Sequence, residues 1–218
     1  MSVAQKLAMV SVAFVLVVVS VFLYITQWLM YQVPAQPASA RVVNGQRTGY
    51  LTLATVGAIG FTSHPTWVAY LVREHGRWVH STVYTLPAHA LIHVTVEEYD
   101  TQTGLRNPFM SVVRGTIGGV EYVNGRAVRY VNANTPAHTF SVPALGINVP
   151  LPGIANSSYP GDLTNPHNSH VTISFSFRTG GPGVYHWQCF VPCAAGFLFG
   201  QGGPMQTIGY MDGLLRVA

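Results

Sequence analysis

The residues of this chain whose types and spacing can do chemistry lie in two short stretches. One is Pro136-Ala137-His138-Thr139-Phe140-Ser141-Val142-Pro143-Ala144-Leu145-Gly146, and the other is Tyr185-His186-Trp187-Gln188-Cys189-Phe190-Val191-Pro192-Cys193. An imidazole at the head of one strand and two thiols at the end of another are soft donors, and a β-sandwich that gathers them at one end makes a copper site. Cys189 and Cys193 are the 2 cysteines of the chain. In an oxidising compartment the same pair closes into a disulfide, so the residues alone leave metal and disulfide both open.

The other histidines fit less well. His186 alternates to the strand face opposite Cys189 and Tyr185 and reads as a surface or interface residue. His167 and His170 stand in a loop, where an isolated histidine is ordinarily solvated. His80 and His93 alternate with other strand residues and His89 sits in a turn beside Pro87, without cysteine or carboxylate at ligand spacing. No Gly-x-Ser-x-Gly, His-Glu-x-x-His or phosphate-binding glycine loop occurs, and 7 carboxylates leave little for acid/base pairs. Hydrolytic classes are thereby set aside, and the chain is not expected to be catalytic alone.

The elements that must position these residues are strands. β-rich runs bounded by Gly, Pro and Asn recur at 78–86, 91–99, 110–117, 120–123, 127–131, 171–177, 184–189 and 213–217. Such spacing predicts an all-β sandwich or barrel with the 184–189 strand central. Asn124-Gly125 predicts a hairpin that extends a sheet edge, because its tight turn needs φ > 0. The uncharged run 50–72 contains Gly57, Gly60 and Pro65, so it reads as two strands and a turn. Residues 144–168, rich in Pro, Gly and Asn, read as a crossing loop between sheets.

Ahead of the strands, residues 7–30 carry no charge and are long enough to cross a bilayer. Residues 1–32 are expected to be a transmembrane anchor, 33–47 a proline-bearing linker, and 48–218 the domain. Lys6 on one side, with Trp28 and Tyr31 near the other end, predicts a single-pass protein of the cell membrane with its C-terminal domain extracytoplasmic. A signal peptide cut after Ala38-Ser39-Ala40 is the alternative, but the apolar run exceeds a signal h-region. Charged residues are 8% of the chain, against about 25% in an ordinary soluble domain. An outer domain so poor in charge predicts cover by other subunits of a membrane complex or by the lipid surface. Ten of the 11 basic residues are arginines spread from Arg41 to Arg216 without a cluster, which argues against nucleic acid.

The two motifs together resemble the copper domain of cytochrome oxidase subunit II, a cupredoxin. His138 with Thr139, Phe140, Val142, Pro143, Leu145 and Gly146 fits the family's His-Ser-Phe/Trp-x-Val-Pro-x-Leu-Gly, and Gln188, Cys189 and Cys193 fit its Gln-Cys-x-x-x-Cys. The likeness covers about residues 78–218. It implies a cupredoxin-like Greek-key β-sandwich, with His138, Cys189 and Cys193 as ligands of a copper centre that accepts single electrons. The family also places a histidine four residues after the second cysteine and a methionine three further on. This chain has Phe197 and Gly200 there.

Met205 and Met211 follow within a longer glycine-rich loop and can supply a displaced methionine ligand, Met205 being the one expected. Val191 replaces the family's glutamate between the cysteines, so only its carbonyl can face a metal. Phe197 is expected to fill the volume of the absent histidine and make the site more apolar, which suits a Cu(I) site or a disulfide. The acidic residues that the family places after Leu-Gly give way to Asn148-Val149-Pro150-Leu151-Pro152, which weakens steering of a basic electron donor. The resemblance therefore implies an electron-transfer subunit of a membrane oxidase or a metal-free subunit that kept the fold. An accessory subunit of a membrane copper monooxygenase and a Cu(I) carrier are the further alternatives.

Overall fold

The structure, a computed structural model, describes residues 2–25, 36–37, 39–43, 46–61, 64–105, 107–155, 170–193 and 203–218. The chain divides into two units, Met1–Val33 and Pro34–Ala218.

In the first unit, α1 spans Val3–Leu23. Ser2 starts it with a capping box: its hydroxyl accepts the Gln5 N–H at 3.2 Å, and the Gln5 side chain accepts the Ser2 N–H at 2.8 Å. The 21 residues give a rod of about 32 Å. The helix buries none of its side chains and is long and apolar enough to cross a membrane, a property that anchors and signal sequences share. Residues 26–35, which include the end of the apolar run, lie outside the described residues.

The second unit is built of strands. In chain order they are β1 (Gln36–Pro37), β2 (Ser39–Val43), β3 (Gln46–Val56), β4 (Ala69–Glu74), β5 (Arg77–Val79), β6 (Val83–Leu86) and β7 (Leu91–Glu98). They continue as β8 (Glu121–Val123), β9 (Arg126–Val128), β10 (Pro136–Val142), β11 (Ile147–Pro152), β12 (Val171–Arg178), β13 (Gly183–Gln188) and β14 (Asp212–Val217). One sheet has the order β1-β6-β14-β13-β10-β11 and the other β5-β4-β3-β7-β12-β8-β9, with β2 also paired to β3. Strands distant in sequence are neighbours, as β6 with β14 and β10 with β13, which is Greek-key crossing between sheets and not a meander. The expected cupredoxin-like sandwich is therefore borne out, with β13 inside its sheet. Among the described residues, the second unit has no α-helix.

Alternation builds the core. Along β7 the inward residues are Ile92, Val94, Val96 and Glu98, and along β12 they are Ile173, Phe175 and Phe177. Phe140 and Val142 of β10 and Trp187 of β13 close the same core from the other sheet. His138 and Cys189 fall on the same parity as these inward residues, so strand period alone aims both into one end of the sandwich.

The run 50–72 forms β3 and β4, paired antiparallel from Leu53↔Val72 to Val56↔Ala69. Asn124 and Gly125 take φ of 47° and 80° in the β8–β9 turn, at the sheet edge as expected.

Three expectations are corrected. The run 78–86 is two strands in different sheets, because the chain crosses over at His80–Thr82, where Thr82 donates to the Asp212 carbonyl at 2.7 Å. The run 110–117 is no strand. Asn107 caps a 3-10 turn at Pro108–Ser111, and beyond it Val112 and Arg114 make only isolated bridges. Part of 144–168 is a strand: Gly146, at φ 64°, turns the chain back so that β11 pairs with β10. Pro150 and Pro152 fit there because β11 is an edge and needs partners on one side only. Residues 156–169 lie outside the described residues. β1, β2 and the first two residues of β3 lie within 33–47, the segment that composition marks as a linker.

Candidate metal centre

β10 carries His138 and the end of β13 carries Cys189, and the short turn through Phe190, Val191 and Pro192 returns Cys193 to the same place. His138 Nδ1 is 2.8 Å from Cys193 Sγ and 3.9 Å from Cys189 Sγ, and the sulfurs are 3.1 Å apart. Ligand atoms about 2.0–2.3 Å from one metal stand about 3–4 Å from one another, so this donor set fits an ion of copper's size. The sulfur separation exceeds the ~2.05 Å of a disulfide, and both cysteines are free.

Backbone groups hold the sulfurs. Thr139 N–H donates to Cys189 Sγ at 3.4 Å, and Thr139 Oγ1 accepts the Phe190 N–H at 2.8 Å. The Cys189 N–H reaches the Met211 carbonyl at 3.0 Å. The Val191 carbonyl lies 3.1 Å from Cys193 Sγ and 3.8 Å from Cys189 Sγ, facing the site while the Val191 side chain joins the core. Tyr70, fully buried against Trp187, donates its hydroxyl to the Thr139 carbonyl at 2.9 Å and so braces β10.

Behind His138 stand two carboxylates. Nε2 is 3.3 Å from Asp100 Oδ2 and 3.8 Å from Glu98 Oε1. The first contact is within ion-pair reach but off hydrogen-bond alignment. Glu98 is fully buried; its Oε1 accepts the Asp100 N–H at 2.9 Å and its Oε2 has no aligned donor.

This crowding moves every titration. Burial pushes Glu98 up to about 8, against the pull of His138. Burial would raise Asp100 too, but His138 and the Thr101 N–H outweigh it and hold that carboxyl low. For His138, burial is overcome by Glu98, Asp100 and Cys189, and the imidazolium is favoured. Cys189 is lowered, because the Cys193 thiol, His138 and the Thr139 N–H outweigh its burial, whereas burial and the Cys189 charge raise Cys193. The first thiolate is therefore on Cys189, and thiolates are what bind a soft metal.

Of the residues named from sequence, His138, Cys189 and Cys193 come together. The Met205 carbonyl accepts the Gln188 side-chain amide at 2.7 Å, which ties the Met205 turn to the residue before Cys189. Phe197 and His167 lie outside the described residues. His186 is exposed and bonded to Asp212, on the outer face as its parity requires. His170 packs against Tyr99, ring centres 5.0 Å apart. Glu98, Asp100 and Tyr70 were not singled out from sequence, and Thr139 was named only as part of the histidine motif. The signal for Glu98 was there: a carboxylate at an inward position of an alternating strand.

No family model and no curated protein matches the chain. Among solved structures it is similar to rusticyanins, one of them described as a copper protein. A rusticyanin variant is 12% identical with a TM-score of 0.34, covering 86% of this chain and 85% of that one. Rusticyanin from Thiobacillus ferrooxidans is 15% identical with a TM-score of 0.32, covering 83% and 87%. Reduced rusticyanin is 14% identical with a TM-score of 0.31, covering 83% and 89%. The cupredoxin-like fold rests on the strand order above.

Proposed function

We propose that His138, Cys189 and Cys193 hold copper at the end of the sandwich, and that the chain serves as an extracytoplasmic, membrane-anchored electron-transfer subunit of the oxidase subunit II kind. The observation that carries this reading is the meeting of one imidazole nitrogen and two sulfurs within 4.8 Å of one another, from two strands separated by about fifty residues. Bound copper supplies one-electron chemistry, and paired thiolates keep both of its charge states accessible.

The chain's own residues exclude water and fix the donors. His138 and Cys189 are closed off, the Val191 carbonyl faces both sulfurs, and the turn with Met205 is pinned nearby. Phe190, next to Cys189, is exposed and supplies an apolar contact for a partner subunit. Metal analysis of the full-length, detergent-extracted protein, reconstituted with copper under reducing conditions, tests the reading. A fixed copper stoichiometry that His138→Ala and Cys189→Ser abolish is expected; wild-type protein that retains no copper overturns it.

A second reading, a Cu(I) carrier, is favoured by Cys193, the less buried of the two cysteines. Rapid transfer of Cu(I) to a chelator identifies the carrier, and slow transfer with a reversible one-electron wave identifies the resident centre.

A further inference from the structure

We propose that Asp100 and Glu98 are positioning residues that hold the His138 ring with Nδ1 turned to the sulfurs and make the site prefer a divalent over a monovalent ion. The inference rests on the metal-site reading above for its charge preference, but not for its ring orientation.

The carboxylates stand on one side of the imidazole and the sulfurs on the other. Nε2 faces Asp100 Oδ2 at 3.3 Å and Glu98 Oε1 at 3.8 Å, while Nδ1 faces Cys193 Sγ at 2.8 Å. A carboxylate on the outer nitrogen keeps a proton there and leaves the inner nitrogen's lone pair for a metal. It also adds negative charge near the ion, and a doubly charged ion gains about twice what a singly charged one does.

The fold spends core volume on this arrangement. Glu98 follows Ile92, Val94 and Val96 on the inward face of β7, where an apolar side chain would continue the packing. Its Oε1 accepts the Asp100 N–H, so it sets the turn that presents Asp100 to the ring. Asp100 Oδ1 is held in turn by the Thr101 N–H at 2.7 Å, leaving Oδ2 for His138. Neither carboxylate belongs to the motifs that carry the histidine and cysteines.

The test uses the full chain in detergent micelles, with Asp100→Asn and Glu98→Gln. Affinities for Co(II), a redox-inert divalent probe with a thiolate charge-transfer band, and for Cu(I) are measured by competition with chelators. In Asp100→Asn the Co(II) affinity is expected to fall about 10–100-fold and the Cu(I) affinity several times less, with the same order and a smaller change in Glu98→Gln. Equal losses for both ions, or none, overturn the charge preference, because a purely structural role moves both alike.

The metal-free chain decides the orientation by itself. At a pH high enough for the ring to be neutral, nitrogen-15 NMR of His138 is expected to show its remaining proton on Nε2 in the wild type and a loss of that preference in the double variant. A bare Nε2 in the wild type overturns the positioning role. Wild-type protein that binds neither ion overturns the charge preference together with the metal-site reading, and leaves the nitrogen spectrum to decide the orientation.

Discussion

Glu98 and Glu121 occupy the same kind of place and behave differently. Each is on an inward position of a strand in the larger sheet, each is fully buried, and burial pushes Glu98 up to about 8 and Glu121 up to about 9. Glu121 has no aligned donor on either oxygen among the described residues, and burial is the cause of its shift. Around Glu98 stand Asp100, His138 and, beyond the ring, Cys189 and Cys193. Both carboxyls favour the neutral acid, but Glu121 is raised by burial alone, whereas Glu98 stands beside the ionised pair of Asp100 and His138. Burial perturbs a group, but the partner decides whether the perturbation can serve chemistry.

Removing the partner is the strongest way to break that contrast. In metal-free protein, His138→Ala leaves Asp100 and the Cys189 thiolate without a cation inside the sandwich, and a loss of about 3–5 kcal/mol at neutral pH is expected. Glu121→Met, similar in length and without the unpaired oxygens, is expected to match or exceed the wild type at pH 7. Thermal or chemical denaturation of the two variants side by side measures both. Equal losses would mean that His138 is ordinary packing and that the charges around it do not couple.

The pH dependence of Glu121 sharpens the comparison from the other end. Its folded-state value, about 9, is above the ordinary 4.5, so the folded chain keeps a proton that the unfolded chain has released. Its contribution is fully present below about pH 4.5 and is lost as pH rises towards 9. Between pH 5 and 7 this amounts to about 2–3 kcal/mol, at ~1.4 kcal/mol per pH unit. Denaturation midpoints of the wild type and Glu121→Met should therefore diverge steadily over that range, the wild type falling faster. Parallel curves would show that water reaches Glu121 and that its burial is nominal.

The same contrast shows what the sequence could disclose. His138, Cys189 and Cys193 were legible because each motif is local: a strand, its parity and the turn after it fix which way the donors point. The inward parity of Glu98 was legible as well, yet not what it faces, since the residues between Asp100 and Thr135 separate it from His138. β11 was hidden for a different reason. Pro150 and Pro152 read as loop residues, and only its position at the sheet edge, which depends on the whole strand order, makes them acceptable in a strand. The break at His80–Thr82 was hidden likewise, because a continuous β-rich run does not reveal that the chain changes sheets within it. Side chains set by local period are read from sequence, and those set by which sheet lies opposite are not.

The smallest expected effect is at Tyr70, which joins the core to the charged end without carrying charge itself. Its hydroxyl donates to the Thr139 carbonyl at 2.9 Å, its ring stands edge-on to Trp187 with centres 4.9 Å apart, and His138 is 6.2 Å from it. Tyr70→Phe keeps the ring and its packing and removes one hydrogen bond, so a loss of about 0.5–1.5 kcal/mol is expected. Because the bond braces β10 between His138 and Phe140, the effect should be local: faster amide exchange at Thr139 and a shifted His138 nitrogen signal, with β8 unchanged around Glu121. A variant as stable as the wild type with an unmoved His138 signal would show that β10 is held by its pairing with β11 and the Thr139–Phe190 contact alone. A loss several times larger, spread over both sheets, would instead mean that the hydroxyl supports the whole core and that the two regions are not separable.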